Sequence, residues 1–165
     1  PVVGRIINTT SVSGIYGNFG QSNYGAAKAA MVGLMNVLHH EGAKNNIRVN
    51  TLAPTAATRM LEGLIPPQVA DLMAPELVTP GVLYLVSEDS PSKTILGAGA
   101  GCFSVVHIYE TPAVFVGGAN ATVDDVAANW AKISNPANEQ PIDAAFAQTN
   151  KFVAAAAEAL GVKLG

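Results

Sequence analysis

Cysteine, charge and long apolar runs are all scarce in this chain of 165 residues. The single cysteine, Cys102, excludes an internal disulfide framework and is typical of a reducing compartment. Only 13% of the residues are charged and the formal net charge is -3, so the sequence lacks the basic cluster that nucleic-acid binding requires. Gly, Asn or Pro interrupts the apolar runs before the ~20 residues that a membrane span needs, and we expect no signal peptide. These absences predict a soluble protein with neither a nucleic-acid nor a membrane partner.

The residues that are abundant favour one globular core. Hydrophobic residues make up 49% of the sequence, and a chain of this length buries about two-thirds of its unfolded surface on folding. Short apolar runs alternate with helical patterns, which is typical of an α/β protein with a parallel sheet. Within residues 1–100 the predicted strands are Val2–Thr10, Ile47–Ala53 and Thr94–Gly99. The first of them is predicted to be buried on both faces. The first predicted helix runs from a cap at Ser22 or Asn23 to about Gly42. A second covers residues 59–74 and is interrupted at Pro66–Pro67. A third covers Pro80–Glu88, with Leu83, Leu85 and Val86 buried.

The C-terminal third shows a different pattern. Two strands, Phe103–Tyr109 and Ala113–Val116, are predicted to form a hairpin around Glu110–Pro112. Thr122 begins a helix with an acidic first turn, and Trp130 on that helix is expected in the core. The last helix is predicted over Ile142–Leu160, with Gly161 ending it after a polar linker.

The strongest chemical signal lies between Ser11 and Lys28. Tyr24 and Lys28 are spaced i, i+4, so on a helix they lie on one face, one turn apart. A free tyrosine has a pKa of about 10, and a neighbouring ammonium favours the phenolate, which suits general acid-base work. Ser11 follows the first strand at its carboxyl end, the edge of a parallel sheet where ligands bind. Its hydroxyl would hold a substrate oxygen that Tyr24 protonates or deprotonates.

These residues resemble the Ser/Tyr/Lys signature of the short-chain dehydrogenase/reductase family. The likeness extends through Gly14–Gln21, which is similar to the (3R)-hydroxyacyl-CoA dehydrogenase unit of multifunctional β-oxidation enzymes, and through Asn50–Pro54 and Thr58–Met60. The family opens with a Gly-rich strand-loop-helix that has no match here. The resemblance therefore implies the C-terminal part of a Rossmann-like doubly wound parallel sheet over residues 1–100, without its dinucleotide-binding half. A C-terminal hairpin and helical extension would occupy residues 101–165.

The resemblance also implies a reaction and its partners. Ser11, Tyr24 and Lys28 would be catalytic in the oxidation of (3R)-3-hydroxyacyl-CoA to 3-ketoacyl-CoA. Tyr24, Lys28, Pro54 and Ala57 would bind NAD or NADP, with NAD favoured, although Thr55 stands where the family pattern has a glycine. No metal is expected. We expect a homo-oligomer that pairs through the helix of Tyr24 and Lys28, located in the cytoplasm, or in the peroxisome of a eukaryote.

Several alternatives remain open at this point. Thr10 or Ser13 could be the active hydroxyl instead of Ser11, and Tyr16 is a competing phenol with no lysine four residues on. Residues 59–74 would form either a substrate lid, with Leu61, Leu64 and Ile65 against an acyl chain, or an amphipathic helix that closes the core. His39, His40 and Cys102 are interpreted as surface or packing residues without a metal. A different class of function is a catalytically incompetent, self-associating structural domain, since the predicted first strand would leave an open sheet edge.

Overall fold

The computed structural model describes residues 3–59 and 63–164, which divide into two compact units, Pro1–Val106 and His107–Gly165. The first unit contains a four-stranded sheet. Its strands are β1 (Gly4–Thr9), β2 (Ile47–Thr55), β3 (Ile95–Gly99) and β4 (Cys102–Val106), in that spatial order. Strands β1, β2 and β3 are parallel, and β4 is antiparallel to β3. The predicted parallel α/β architecture of this part is confirmed.

Helices cover both faces of strand β2. The helices of the first unit are α1 (Val12–Ile15), α2 (Ser22–Gly42), α3 (Pro67–Leu72) and α4 (Thr79–Val86). One cluster places Met35 of α2 against Val49 and Ile95, and the other packs Leu85 of α4 against Leu52 and Leu96. Because successive residues of a strand point to opposite faces, the run Val49–Ala53 is buried on both sides. The core of this unit therefore lies around β2.

Strand β1 differs from its prediction in burial. It pairs with β2 in parallel register, from Gly4 beside Ile47 to Thr9 beside Leu52, and it stands at the end of the four-strand order. The predicted strand from Val2 to Thr10 is thus found, with Val2 outside the described residues. Its predicted burial on both faces is wrong, because the strand is only partly covered and Ile6 is exposed.

The apolar stretch Pro67–Val86 corrects two expectations. The stretch has 20 residues, and an 18-residue window within it has a mean hydropathy of 1.4, so by length and composition alone it is long and apolar enough for a membrane span. However, the extended backbone of Ala74 and the 3-10 turn Pro75–Val78 divide it into α3 and α4. In α4 only Leu85 of the three residues predicted to be buried is buried, whereas Leu83 and Val86 are exposed. Pro75 has no N–H for a helical hydrogen bond, which explains the break.

The turn between β3 and β4 was missed by the sequence interpretation. Ala100 and Gly101 both have positive φ, 52° and 72°, and the pair Gly99–Cys102 closes the ladder on either side of them. Two central residues with positive φ are what a tight right-twisted hairpin needs. The hairpin therefore joins β3 to β4, and the predicted hairpin between Phe103–Tyr109 and Ala113–Val116 is wrong. Strand β4 belongs to the first unit, and Cys102 on it is exposed, which corrects the packing role expected for it.

The second unit contains two helices and one short strand pair. Its elements are β5 (Tyr109–Glu110), α5 (Val123–Ile133), β6 (Gln140–Pro141) and α6 (Ala145–Leu160), with β5 antiparallel to β6. Thr122 caps α5 in a reciprocal capping box with Asp125, and Gly161 ends α6 in a left-handed conformation, both as predicted. Trp130 is 60% exposed, so its predicted core position is wrong.

Candidate active site

Ser11 lies at the carboxyl end of β1, where the chain turns into α1. It is the N-cap of that helix, and its hydroxyl oxygen accepts a hydrogen bond from the Ser13 backbone N–H at 3.2 Å. The side chain remains half-exposed. Since a hydroxyl oxygen has two lone pairs and one proton, capping leaves its donor available. Ser11 can thus donate a hydrogen bond to an oxygen bound at this edge of the sheet.

Tyr24 and Lys28 lie in the first two turns of α2. The Lys28 Nζ is 5.7 Å from the centroid of the Tyr24 ring and donates a hydrogen bond to the Thr9 carbonyl oxygen at 3.0 Å. Within residues 3–59 and 63–164 Lys28 forms no ion pair, so no carboxylate offsets its charge. Tyr24 is 44% exposed, so its phenol is accessible from solvent beside the Lys28 ammonium.

Two glycines allow the Ser11 turn to approach α2 closely. A Cβ on Gly14 would lie 2.7 Å from Lys28 Cβ and from the backbone of Lys28 and Ala29, and one on Gly25 would lie 3.1 Å from the Ser13 carbonyl oxygen. Any side chain at Gly14 would therefore push α1 away from the turn that carries Lys28. This contact holds α1, the helix that Ser11 caps, against the part of α2 that carries Lys28.

Of the alternatives for the active hydroxyl and phenol, the structure excludes Thr10. Thr10 is 2% exposed, and its hydroxyl donates to the Lys28 carbonyl oxygen at 2.6 Å, so it cannot reach a substrate. Tyr16, at the end of α1, is exposed. The cap of α2 also differs from the prediction: its N-cap is Gln21, whose side chain makes no capping hydrogen bond, while Asn23 Oδ1 accepts from the Tyr24 backbone N–H.

The adjacent histidines His39 and His40 contact other side chains of the first unit. His39 Nδ1 lies 2.8 Å from Ser92 Oγ, and His39 and His40 rings contact each other edge to face. Throughout the described ranges, no three His, Cys, Asp or Glu side chains are grouped to bind a metal ion.

A cavity of about 590 Å³ lies beyond the end of β2. Ala57, Arg59 and Ile65 line it, together with residues of α3. Pro54 is the penultimate residue of β2, and the Ala57 N–H donates to the Met73 carbonyl oxygen at 2.7 Å. The helical segment predicted over residues 59–74 is confirmed only for α3; Leu61 lies outside the described residues, and Leu64 is exposed. Ile65 lines the cavity, whereas Leu64 is not among its lining residues.

The residues at this edge fit the ribose end of a nicotinamide cofactor. Lys28 has three N–H groups, of which one binds Thr9, so two remain for neighbouring hydroxyls. Pro54 has no N–H, and the N–H of Ala57 already binds the Met73 carbonyl oxygen, so neither residue can donate a backbone hydrogen bond to a ring. The site therefore supplies a cation from Lys28, while the sequence contains no G-x-x-x-G-x-G motif for the phosphates.

A parallel sheet covered by helices, with Ser, Tyr and Lys at one carboxyl edge, is a Rossmann-like arrangement. Residues 2–67 match the family model described as short chain dehydrogenase, so this part of the chain belongs to the short-chain dehydrogenase/reductase family. A short-chain type dehydrogenase/reductase of Mycobacterium tuberculosis is 45% identical, covering 80% of this chain and 46% of that protein. Peroxisomal multifunctional enzyme A of Dictyostelium discoideum is 42% identical, covering 80% of this chain and 30% of that protein.

A solved structure shows the same fold. Full-length peroxisomal multifunctional enzyme type 2 of Drosophila melanogaster superimposes with a TM-score of 0.81 at 30% identity, over 96% of this chain and 29% of that one. The chain thus spans less than half the length of these relatives. The family likeness stated from the motifs is confirmed, including the likeness to multifunctional β-oxidation enzymes.

Proposed function

We propose that this chain carries the catalytic groups of an NAD(P)-dependent oxidoreductase that oxidises a secondary alcohol, with (3R)-3-hydroxyacyl-CoA as substrate and 3-ketoacyl-CoA as product. The observation that carries the proposal is the position of the Lys28 ammonium, which lies 5.7 Å from the centroid of the Tyr24 ring and 3.0 Å from the Thr9 carbonyl oxygen, two residues before Ser11. The likeness to peroxisomal multifunctional enzymes supports the acyl-CoA substrate. NAD is the favoured cofactor, and the cellular location is the cytoplasm, or the peroxisome in a eukaryote.

Tyr24 is the general base in the oxidation direction. Its phenolate takes the proton of the substrate hydroxyl, and the Lys28 ammonium stabilises the phenolate before that transfer. Ser11 donates a hydrogen bond to the substrate oxygen and stabilises the charge that develops there as the carbonyl forms. A nicotinamide held by Lys28, Pro54 and Ala57 would supply the redox chemistry, by taking up the hydride from the hydroxyl-bearing carbon. In the reverse direction the Tyr24 phenol returns the proton to the carbonyl oxygen.

Lys28 and the end of β2 hold the cofactor in this proposal. The two remaining N–H groups of Lys28 bind ribose hydroxyls, while Pro54 and Ala57 pack against the ring. The apolar Ile65 side of the neighbouring cavity suits an acyl chain, which is the role proposed for the lid.

The chain is proposed to act as a homo-oligomer that pairs through α2. Leu34 and Val37 are exposed on this long helix, although apolar residues of such size are usually buried. A second copy of α2 would cover them.

The test of the activity is turnover of 3-hydroxyacyl-CoA with NAD, and then NADP, by the 165-residue chain. Replacing Tyr24 by Phe removes the base and should lower the turnover about 10²–10⁴-fold. Tyr84→Phe is the matched control, because Tyr84 is an exposed phenol on α4 whose backbone, not its hydroxyl, makes the described hydrogen bonds. Equal rates for Tyr24→Phe and the parent chain would contradict the assignment. Absence of turnover in the parent chain would instead support the self-associating structural domain.

A further inference from the structure

Lys28 is held at both ends by two consecutive residues: Thr9, the last residue of β1, and Thr10, which follows it. Its ammonium donates to the Thr9 carbonyl oxygen at 3.0 Å, and its own carbonyl oxygen accepts from the Thr10 hydroxyl at 2.6 Å. The second contact is unusual for a helix, because a carbonyl in the interior already accepts the N–H four residues on. Thr10 therefore adds a bond that the helix does not need for its own stability.

The Thr10 side chain is itself firmly placed. It is 2% exposed, and its backbone N–H donates to the Leu52 carbonyl oxygen at 2.8 Å, which continues the β1 to β2 pairing past Thr9. The sheet therefore fixes Thr10, and Thr10 fixes the backbone of α2 at Lys28. Asn8, two residues earlier, makes a longer contact of the same kind, from its Nδ2 to the Met31 carbonyl oxygen at 3.3 Å.

We propose that Thr10 is a positioning residue of the active site. Its hydroxyl binds the backbone of Lys28 to the end of β1, and this keeps the Lys28 ammonium between the Thr9 carbonyl and the Tyr24 ring. This inference rests on the proposed function only for its consequence in catalysis. The two hydrogen bonds between Lys28 and Thr9 and Thr10, here called the clamp, join the end of β1 to α2 whatever the reaction. Ser11 follows Thr10 directly, so one strand end places both the cation and the hydroxyl donor.

The clamp has a consequence that does not depend on turnover. An ammonium bound to a carbonyl must leave it and lose its proton before the amine attacks an acylating reagent. Without the Thr10 hydroxyl, the backbone of Lys28 shifts away from β1 and the Nζ leaves Thr9 more often. Lys28 should then react faster, whereas a distant lysine should not change.

The experiment is competitive acetylation of the whole chain with acetic anhydride, read by mass spectrometry as the rate at each lysine. Thr10→Val removes the hydroxyl and keeps the shape, and we expect the Lys28 rate to rise several-fold. Thr10→Ser keeps the hydroxyl and should leave that rate near the parent value. Lys44, in the 3-10 turn Ala43–Asn45 after α2, is the internal reference, because a rise at both lysines would signal unfolding.

Turnover supplies the second measurement and separates the two proposals. If the parent chain is active, Thr10→Val should lower kcat about 10- to 100-fold, as expected when a catalytic group is displaced by up to an ångström, and Thr10→Ser should restore it. An inactive parent chain would count against the proposed function. The acetylation rates of Lys28 would still show whether the Thr10 hydroxyl holds Lys28 in place. Unchanged Lys28 acetylation in Thr10→Val, or an equal rise in Thr10→Ser, would overturn the role of the Thr10 hydroxyl.

Discussion

Replacing Gly14 by Ala tests whether the Ser11 turn is held against α2 by close packing. The new Cβ would lie 2.7 Å from three heavy atoms of Lys28 and Ala29, two of them backbone atoms. Ordinary carbon contacts are about 3.5 Å or longer, so α1 must move away by about 0.8 Å. Overpacking of this kind costs about 1–3 kcal/mol, against a gain of at most about 1 kcal/mol for Ala over Gly in a helix.

Gly33→Ala is the matched control for this prediction. It makes the same change in α2, where a Cβ would meet nothing within 4 Å, so it should only gain the helix preference. The two variants should thus differ in free energy of unfolding by about 1–3 kcal/mol, the cost of the overlap alone. Urea unfolding followed by far-UV circular dichroism measures both. A Gly14→Ala chain as stable as Gly33→Ala would refute the close packing, whereas confirmation should bring a loss of turnover, because Ser11 moves with α1.

Two further predictions concern association and acid stability. Val37 on α2 and Val162 are both 55% exposed, which makes Val162 the matched control. Because pairing is proposed through α2, Val37→Asp should halve the mass found by light scattering, whereas Val162→Asp should leave it unchanged. A parent chain that is already monomeric would contradict pairing through α2. In the second unit, the hydrogen bond from Gln148 and the Lys151 ammonium hold the pKa of Glu110 below 4.5, and the Thr122 hydroxyl and N–H hold the pKa of Asp125 below 3.8. Both carboxylates therefore stabilise the folded state above these values, and the stabilisation is lost as the pH falls through the lower folded-state pKa values. The fluorescence of Trp130, the single tryptophan, follows the unfolding of α5. The urea midpoint measured in this way should fall when the pH drops below about 4, and it should fall less in a Thr122→Ala, Gln148→Ala double variant. An equal fall in both chains would refute the assignment.

Predictions from the sequence failed where burial depends on what lies beside an element. The apolar pattern of Val2–Thr10 is typical of a strand buried on both faces, and it forms a strand, but nothing in that pattern shows how much of β1 is covered. Leu83, Val86 and Trp130 failed for the same reason, since an apolar side chain is buried only if another element packs over it. The C-terminal hairpin failed because Ala100, which is not a typical residue for positive φ, occupies the turn.

The sequence by itself determined the parallel α/β fold class, the C-terminal ends of α2 and α6, and the candidate triad of Ser11, Tyr24 and Lys28. These depend on local patterns: hydrophobic period, a C-terminal glycine, and a fixed spacing along one helix. Only the tertiary structure decided that Thr10 and Thr9 bind the two ends of Lys28 and that Gly14 permits contact with α2. Such contacts join residues 14 to 19 positions apart through two different elements, and no local pattern specifies the distance between a strand end and the side of a helix.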